Sequence, residues 1–285
     1  MKVNNRWLTF EEARKIVRKT TIKTEMQWKY ERKFLPKSIP RDPNKVYREE
    51  WRGFSDWLGT KNIRGCLRKY KVNDNFFKTW SHDMAYVLGF WWADGYMRKR
   101  IRKNSFVYGF ALCQQTKDKY ILKNILNAMG SNNPIYTPKS RPSSSHFEIN
   151  SKIIFDDLIA LGGVPNKSKF IRMPSVPHEF IGDFIRGLFD GDGSISINKK
   201  YKTTKQAYIC SGNIDFINDL KTILDNLGIN GIVDDNANPN NICYLLRFNV
   251  EQIKKLGILM YKDLSTKLKL VRKFKKFLNE EGGII

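Results

Sequence analysis

The strongest constraint on the fold is a long repeat in the last two thirds of the chain. The stretches "LGFWWADGY" (residues 88–96) and "RGLFDGDGS" (residues 186–194) each run an apolar segment into an Asp-Gly pair, and Gly95 lies 98 residues before Gly193. The stretches "LKNILNAMG" and "LKTILDNLG" recur at the same offset. Because the segments follow in the same order in both halves, the pattern indicates a duplicated domain.

Each copy has the same predicted secondary structure. A helix precedes the Asp-Gly pair, and alternating apolar and polar residues after it predict two strands. An amphipathic helix, two further strands and a last helix complete the copy. We therefore predict an α+β fold of two pseudo-symmetric αββαββα repeats with antiparallel sheets, at residues 81–175 and 176–285, with the two motif helices in the centre.

Small residues four positions apart mark one face of each motif helix. They are Gly89 and Ala93 in the first helix, and Gly187 and Gly191 in the second. A spacing of four places both residues of a pair on one side of the helix. Glycine inside a helix costs about 1 kcal/mol relative to alanine, so its use here indicates that two backbones approach closely.

This packing would bring together the acids that end the two helices, Asp94 and Asp192, with Gly95 and Gly193 as left-handed caps. Each carboxylate lies at the negative end of a helix dipole and repels the other. A divalent cation relieves both penalties, and hard oxygen ligands suit magnesium. Next to DNA phosphates, such ions can activate a water and stabilise a leaving oxygen, which is phosphodiester hydrolysis. A single "DGDGS" would more often be a turn, and the duplication, the small-residue faces and the charge favour the metal site.

The charge of the chain points to an anionic polymer. There are 51 Lys and Arg against 28 Asp and Glu, a formal net charge of +23, which favours nucleic acid first and an anionic membrane second. No apolar run reaches the roughly 18 residues of a spanning helix, and the N-terminus lacks the apolar core of a signal peptide. The four cysteines are scattered and there are only three histidines, which argues against a zinc site. We expect an intracellular protein with reduced cysteines.

Residues 1–75 match neither repeat and are predicted to form a small, mainly helical, basic module. Up to Trp80 the chain carries 21 Lys and Arg against 9 Asp and Glu. In "LTFEEARKIVRK" a helix is predicted to start at Thr9, with Glu12 at the capping-box position. The aromatic residues of "EEWRGFSDWLGT" suit either a nucleic-acid module or a small aromatic core with a solvated basic rim.

The two motif stretches, "VLGFWWADG" (residues 87–95) and "IRGLFDGDG" (residues 185–193), resemble those of the LAGLIDADG homing endonucleases in their single-chain, double-motif form. The resemblance covers roughly residues 81–275, and the first copy departs from the family by carrying Trp91 and Trp92 where smaller or acidic residues are more usual. It implies a monomer whose saddle of two four-stranded sheets lies in the major groove of double-stranded DNA. It also implies magnesium-dependent cleavage of both strands at a long site, leaving short 3′ overhangs.

The resemblance implies a role for the residues at the helix ends. Asp94 and Asp192 match the metal-binding acids, and we include the preceding Ala93 and Gly191 among the predicted metal ligands. Two or three divalent ions are expected to be shared between the two acids and the DNA phosphates.

Further catalytic and DNA-binding residues follow from the same resemblance. A basic residue is expected near each scissile phosphate, and the repeat-matched Lys167 and Lys262 are the candidates. Gln114, with Ser211 opposite it in the repeat, is a candidate for holding a metal-bound water. The polar strand faces are expected to contact DNA through Arg98, Arg100, Arg102, Lys139, Arg141, Ser194, Ser196, Asn198, Lys200 and Lys202.

The N-terminal module has its own resemblance, to a short repeat of phage and algal-virus integrase-like proteins, carried by "WRGFSDWLGT". It suggests extra DNA contacts outside the repeats. Three functions compete for the whole chain: a site-specific DNA endonuclease, a maturase that binds intron RNA and assists splicing on the same fold, and a DNA-binding regulator on a retired nuclease scaffold. Both motif acids are present, which disfavours the regulator.

Overall fold

The computed structural model describes residues 7–60, 68–102, 105–197, 205–235, 243–262, 264–279 and 281–284. The chain divides into two compact units: residues 1–69 together with 99–107, and residues 70–98 together with 108–285. The second repeat lies in the second unit, and so does the first repeat except for residues 99–107. Within the described residues, no helix combines the length and the apolar character needed to cross a bilayer.

Short helices build the first unit around an aromatic core. The predicted capping box is confirmed, because the Thr9 side chain accepts from the Glu12 backbone N–H while the Glu12 carboxylate accepts from the Thr9 backbone N–H. Satisfying these free donors stabilises the start of the first helix. The helices are α1 (Phe10–Arg18), α2 (Glu25–Glu31), α3 (Pro43–Val46) and α4 (Phe54–Leu58).

Trp57 lies at the centre of that core and is fully buried. Its ring centroid lies 5.6 Å from that of Trp28 and 5.7 Å from those of Phe10 and Trp51. Phe54 is partly buried against the same cluster. The aromatic residues of segment 49–60 therefore form the core of this unit, which is the second of the two interpretations offered for them.

Two similar series of helices and strands follow one another in the repeats. In both, a long buried helix runs directly into a strand, and a second strand and an amphipathic helix come next. The first series is α5 (His82–Asp94), β1 (Gly95–Arg102), β2 (Ser105–Gln115), α6 (Lys119–Ala128), β3 (Ser144–Asn150) and α7 (Lys152–Ala160). The second is α8 (Ile181–Asp192), β4 (Gly193–Ile197), β5 (Lys205–Ser211), α9 (Ile214–Asn226), β6 (Ile232–Asp235), β7 (Tyr244–Phe248), α10 (Val250–Tyr261) and α11 (Val271–Phe274).

The strands form two separate sheets, with orders β1-β2-β3 and β4-β5-β7-β6, and the registers that the structure describes are antiparallel. The predicted α+β class with two antiparallel sheets is confirmed. Four strands were expected in each sheet, but among the described residues the first sheet has three, with only a single bridge from Tyr136 to His146. Pro134 and Pro138 flank that bridge, and proline lacks the N–H that a strand ladder requires.

Helices α5 and α8 pack against each other through the small residues that the sequence singled out. A Cβ on Gly89 would lie 2.0 Å from the carbonyl oxygen of Phe184, and one on Gly187 would lie 2.1 Å from that of Tyr86. Neither distance is compatible with a real side chain, so the backbones touch only because these positions are glycine. The close approach predicted from the spacing of four is confirmed.

The expectation that Gly95 and Gly193 are left-handed caps is wrong. Gly95 has φ −89° and ψ 160°, and Gly193 has φ −82° and ψ 153°, so both are extended and begin a strand. Glycine is required for space instead, because a Cβ on Gly95 would lie 2.1 Å from the Trp91 ring and one on Gly193 would lie 2.5 Å from the Phe189 ring. Each motif helix therefore turns into its sheet without a connecting loop.

Candidate active site

The packing of α5 on α8 brings the two motif acids to one place. At the ends of these helices, a Cβ on Gly191 would lie 2.2 Å from the Cβ of Ala93 and 3.3 Å from Oδ2 of Asp94. Asp94 and Asp192 are close enough for the charge of Asp94 to act on Asp192. The predicted meeting of the two carboxylates is therefore present in the structure.

Burial makes this pair of carboxylates electrostatically unfavourable. Burial, and after it the charge of Asp94, raise the pKa of Asp192 to about 6, although the charges of Lys167 and Lys273 oppose the rise. Burial also raises the pKa of Asp94, against the effects of the same two lysines and a hydrogen bond from Gln114. The protein thus holds two poorly solvated negative charges side by side, an arrangement that favours a cationic ligand.

Lys167, one of the two lysines predicted to act at the site, lies at the end of α5. Its Nζ donates to the carbonyl oxygens of Trp92 at 2.5 Å and Ala93 at 2.7 Å. Burial lowers its pKa to about 8, while Asp192 and Asp94 oppose the fall. The ammonium therefore remains mostly protonated at neutral pH and neutralises the free carbonyls at this helix end.

The residue equivalent to Lys167 in the second half is Lys273, not Lys262. Lys262 is exposed after the last turn of α10, whereas Lys273 is buried and its Nζ donates to four carbonyl oxygens of residues 189–193 at 2.6–3.1 Å. Burial lowers the pKa of Lys273 to about 8, against the opposing effects of Asp190 and the two motif acids. The repeat offset misplaced this lysine because eleven residues separate it from the end of α10, against six between the end of α7 and Lys167. The basic run "RKFKKF" was the only signal for it.

A cleft of about 690 Å³ opens beside the pair, and Asp94, Gln114, Gly191 and Arg272 lie in its wall. Gln114 is buried, and its Nε2 donates to Oδ2 of Asp94 at 3.1 Å. The structure therefore places Gln114 with the acids. Its repeat partner Ser211 ends β5, and its hydroxyl accepts from the Asn213 backbone N–H.

The donor set suits a hard divalent cation. Two carboxylates, a side-chain amide and the carbonyl oxygens of Ala93 and Gly191 meet around the helix ends, and oxygen ligands are those that magnesium prefers. The carbonyls of Ala93 and Gly191 already accept from Lys167 and Lys273, at 2.7 and 3.1 Å. Among the described residues there is no group of three or more His, Cys, Asp or Glu side chains that could hold a metal. The anionic ligands available at the helix ends are therefore the two carboxylates, Asp94 and Asp192.

The residues expected to contact DNA are spread over both sheets and the loop before β3. Arg98 is exposed on β1 and pairs with Glu148, and Arg100 is exposed on the same strand. Ser194 and Ser196 lie on one face of β4, opposite the buried Ile195. Lys139 and Arg141 are exposed before β3, the Arg102 side chain is outside the described part of the chain, and so are Asn198, Lys200 and Lys202.

Comparison with known proteins defines the class of the second repeat. Residues 179–257 match the family model described as "LAGLIDADG-like domain". The resemblance noted from the sequence is confirmed there, and the matched residues include Asp192 at the end of α8.

A curated relative is the uncharacterized protein MJ1054 of Methanocaldococcus jannaschii, which is 28% identical over 241 residues. The alignment covers 76% of this chain and 25% of that protein, so the chain spans about a quarter of the relative's length. Similar solved structures include mesophilic variants of the homing endonuclease I-DmoI, at 16% identity and TM-score 0.48, covering 66% of this chain and 98% of theirs. The LAGLIDADG homing endonuclease I-GzeII in complex with its DNA target has 15% identity and TM-score 0.48, covering 67% and 87%.

Proposed function

We propose that this protein is a site-specific DNA endonuclease that hydrolyses one phosphodiester bond in each strand with the help of divalent metal ions. The observation that carries the proposal is the half-buried pair Asp94 and Asp192, which the buried side chains of Lys167 and Lys273 flank at the ends of two packed helices. A chain of net charge +23 attracts the phosphate backbone to such a site. Because one chain supplies both halves, we propose that it acts as a monomer.

Magnesium is the proposed cofactor, with Asp94 and Asp192 as its anionic ligands. When bound beside DNA phosphates, it would supply charge neutralisation and a more acidic water at neutral pH. Gln114 holds Asp94 in orientation through its amide. Its place in the wall of the cleft supports the predicted role of holding a water. Lys167 and Lys273 remain mostly protonated near neutral pH, so each can stabilise the negative charge that develops on a scissile phosphate.

The decisive experiment selects cleavable sites from a randomised DNA library with the protein and magnesium, and then sequences the cut ends. We expect double-strand breaks at one long sequence, with short 3′ overhangs, and no breaks when the metal is chelated. Help with the splicing of an intron RNA in the absence of any breaks would favour the maturase instead. If no sequence is enriched and no RNA is processed, the proposal is wrong.

The two lysines give a prediction that separates chemistry from binding. Lys167→Met and Lys273→Met should each slow cleavage about 100-fold and change the Kd for DNA far less, because charge stabilisation is lost only in the transition state. Lys262→Ala is the matched control, since Lys262 is exposed. Single-turnover rates and binding isotherms at equal salt measure both effects. A Lys262→Ala rate as low as that of Lys273→Met would return the role to Lys262.

The first unit is proposed to add DNA contacts of its own. Three large apolar side chains are exposed on the outward face of α2 and on the turn after it. Met26 is 73% exposed, Tyr30 is 63% exposed and Phe34 is 79% exposed. The Nζ of Lys29 lies 5.9 Å from the Tyr30 ring centroid, and that of Lys33 lies 5.0 Å from the Phe34 ring centroid. Exposed aromatic rings with basic neighbours form a surface suited to nucleic acid.

This surface predicts two separable losses of DNA affinity. Lys29→Ala combined with Lys33→Ala should reduce the slope of log K against log salt by about 2, because each phosphate contact contributes about 0.9. Tyr30→Ala should weaken binding at every salt concentration without changing that slope. The matched control is Lys15→Ala with Lys19→Ala on the exposed side of α1. An equal change of slope in the control would place the DNA contacts elsewhere on this unit.

A further inference from the structure

Both buried lysines are carried by segments that return to the motif helices from far along the chain. We call residues 164–173, which carry Lys167, the first return segment, and residues 264–277, which carry Lys273, the second return segment. Each segment is hydrogen-bonded to the side chain two residues before the motif acid, Trp92 on α5 and Asp190 on α8. The position is the same in both copies, but the chemistry of the anchor is different.

In the first half the anchor is a donor. Trp92 is 3% exposed, and its Nε1 donates to the carbonyl oxygen of Arg172 at 2.9 Å. The Ile171 backbone N–H donates to the carbonyl of Lys167 at 2.9 Å, which closes a turn between the anchored end of the segment and the lysine. By fixing the position of the Arg172 backbone, the Trp92 side chain therefore helps to fix the direction from which Lys167 approaches the end of α5.

In the second half the anchor is an acceptor. Oδ2 of the fully buried Asp190 accepts from the Leu270 backbone N–H at 2.7 Å and from the Tyr86 hydroxyl at 2.7 Å. Leu270 caps the short helix α11, and its carbonyl accepts from the Lys273 backbone N–H at 3.0 Å. Asp190 therefore fixes the first residue of the turn that carries Lys273 to the end of α8.

We propose that Trp92 and Asp190 are positioning residues, each of which sets the lysine of its own half and thereby the cleavage of one DNA strand. This inference rests on the proposed nuclease function and adds to it that the two strands are controlled by separate anchors. Neither residue touches DNA or metal in this role. Trp92 occupies the position that Asp190, an acidic residue, has in the second copy. It anchors the return segment of its half as Asp190 does, but through an indole N–H in place of a carboxylate.

The two anchors are expected to act independently because each one is hydrogen-bonded to a different return segment. Asp190→Leu removes the acceptor and leaves the buried Leu270 N–H unpaired, so the second return segment loosens while the first keeps its bond. Trp92→Phe removes the donor to the Arg172 carbonyl, so the first segment loses its bond to α5 and keeps those of Ile171 with Asn213 and of Met173 with Asp219. A displaced lysine matters because catalysis requires the charge at a defined place relative to the phosphate.

The test uses the full chain and a supercoiled plasmid that carries a target selected from the library, with magnesium. Nicked and linear products are quantified, and strand-specific end labels report which strand is cut. Asp190→Leu and Trp92→Phe should each slow one strand about 10-fold relative to the other, and the slow strand should differ between the two variants. Nicked circles then accumulate with both.

Two variants control for damage to the fold. Asp190→Asn keeps an amide oxygen that can accept both bonds, so it should restore cutting of the slow strand to within about 3-fold of wild type. Tyr86→Phe removes the other bond to the same carboxylate and leaves that of Leu270, so it should affect both strands alike. Hydrogen exchange of segment 264–277 should rise in Asp190→Leu and stay low in Asp190→Asn and Tyr86→Phe.

The outcomes separate this inference from the proposed function. If wild type cuts no selected target, the nuclease function fails and this inference fails with it. If wild type cuts both strands but Asp190→Leu and Trp92→Phe slow both strands equally, or slow the same strand, the separate anchors are wrong and the nuclease stands. Unchanged hydrogen exchange of segment 264–277 in Asp190→Leu overturns the anchoring by Asp190, whatever the cleavage rates.

Discussion

Asp192→Asn is expected to abolish DNA cleavage, to leave DNA binding largely intact and to raise the stability of the metal-free protein at neutral pH. The first two results follow because the carboxylate is a proposed metal ligand, whereas the proposed phosphate contacts lie elsewhere. Asp94→Asn should likewise abolish cleavage. The gain in stability is specific to a carboxylate whose burial is unfavourable in the absence of a cation.

The sign of the stability effect follows from the pKa of Asp192, which burial raises from an ordinary value of 3.8 to about 6. A carboxyl whose pKa is higher in the folded state begins to destabilise the fold above its ordinary pKa, and the penalty is complete above the folded pKa. It has no effect once both states are protonated. Asparagine removes this penalty. After allowance for solvent screening, we expect a gain of about 1–2 kcal/mol at pH 7, which decreases as the pH falls from 6 towards 4.

Urea unfolding of wild type and Asp192→Asn at pH 4, 5, 6 and 7, with chelator present, measures the gain. Asp156→Asn on the exposed side of α7 is the matched control and should shift stability little, because Asp156 forms only a surface pair with Lys152. A cleaving Asp192→Asn protein would remove the carboxylate from the mechanism. A gain in stability that is equal at pH 4 and pH 7 would show that its burial is not the cause.

Gly187→Ala is expected to destabilise the protein by about 3 kcal/mol, although alanine is the better helix former. The new Cβ would lie 2.1 Å from the carbonyl oxygen of Tyr86 and 2.8 Å from the backbone nitrogen of Phe90. Both atoms belong to the backbone of α5, which cannot rotate away as a side chain can. The two helices must therefore separate, and the carboxylates at their ends separate with them.

Gly162→Ala is the control for this substitution. Gly162 has φ +93° and no atom within 4 Å of its added Cβ, so the expected cost of about 1 kcal/mol comes from backbone conformation alone. Urea midpoints at constant m value compare the two variants. If Gly187→Ala is as stable as wild type, α5 and α8 do not meet as closely as the structure shows.

Much of the fold was predictable because the chain contains the same pattern twice. The spacing of Gly89 and Ala93, repeated in Gly187 and Gly191, predicted the contact of the two motif helices. From that contact, Asp94 and Asp192 could be predicted to meet. The Thr9 cap was predictable from three residues of local sequence, since its hydrogen bonds join near neighbours.

The lysines show where such prediction ends. Lys167 was predicted from the family resemblance together with its match in the repeat. Its position at the end of α5 agrees with a catalytic role, which stays a proposal. Lys273 was missed because its Nζ binds backbone carbonyls about 80 residues away. Because every residue type has a backbone carbonyl, the identity of residues 189–193 does not show that a lysine binds them.

The sequence alone determined the repeat, the helices, the two acids and the charge, because these depend on residue type and spacing. Only the tertiary structure decided that Gly95 and Gly193 are extended and leave room for the Trp91 and Phe189 rings. It also decided that the second return segment, and not α10, delivers a lysine to the acids. Both outcomes depend on distances between segments that are remote along the chain, and packing sets those distances.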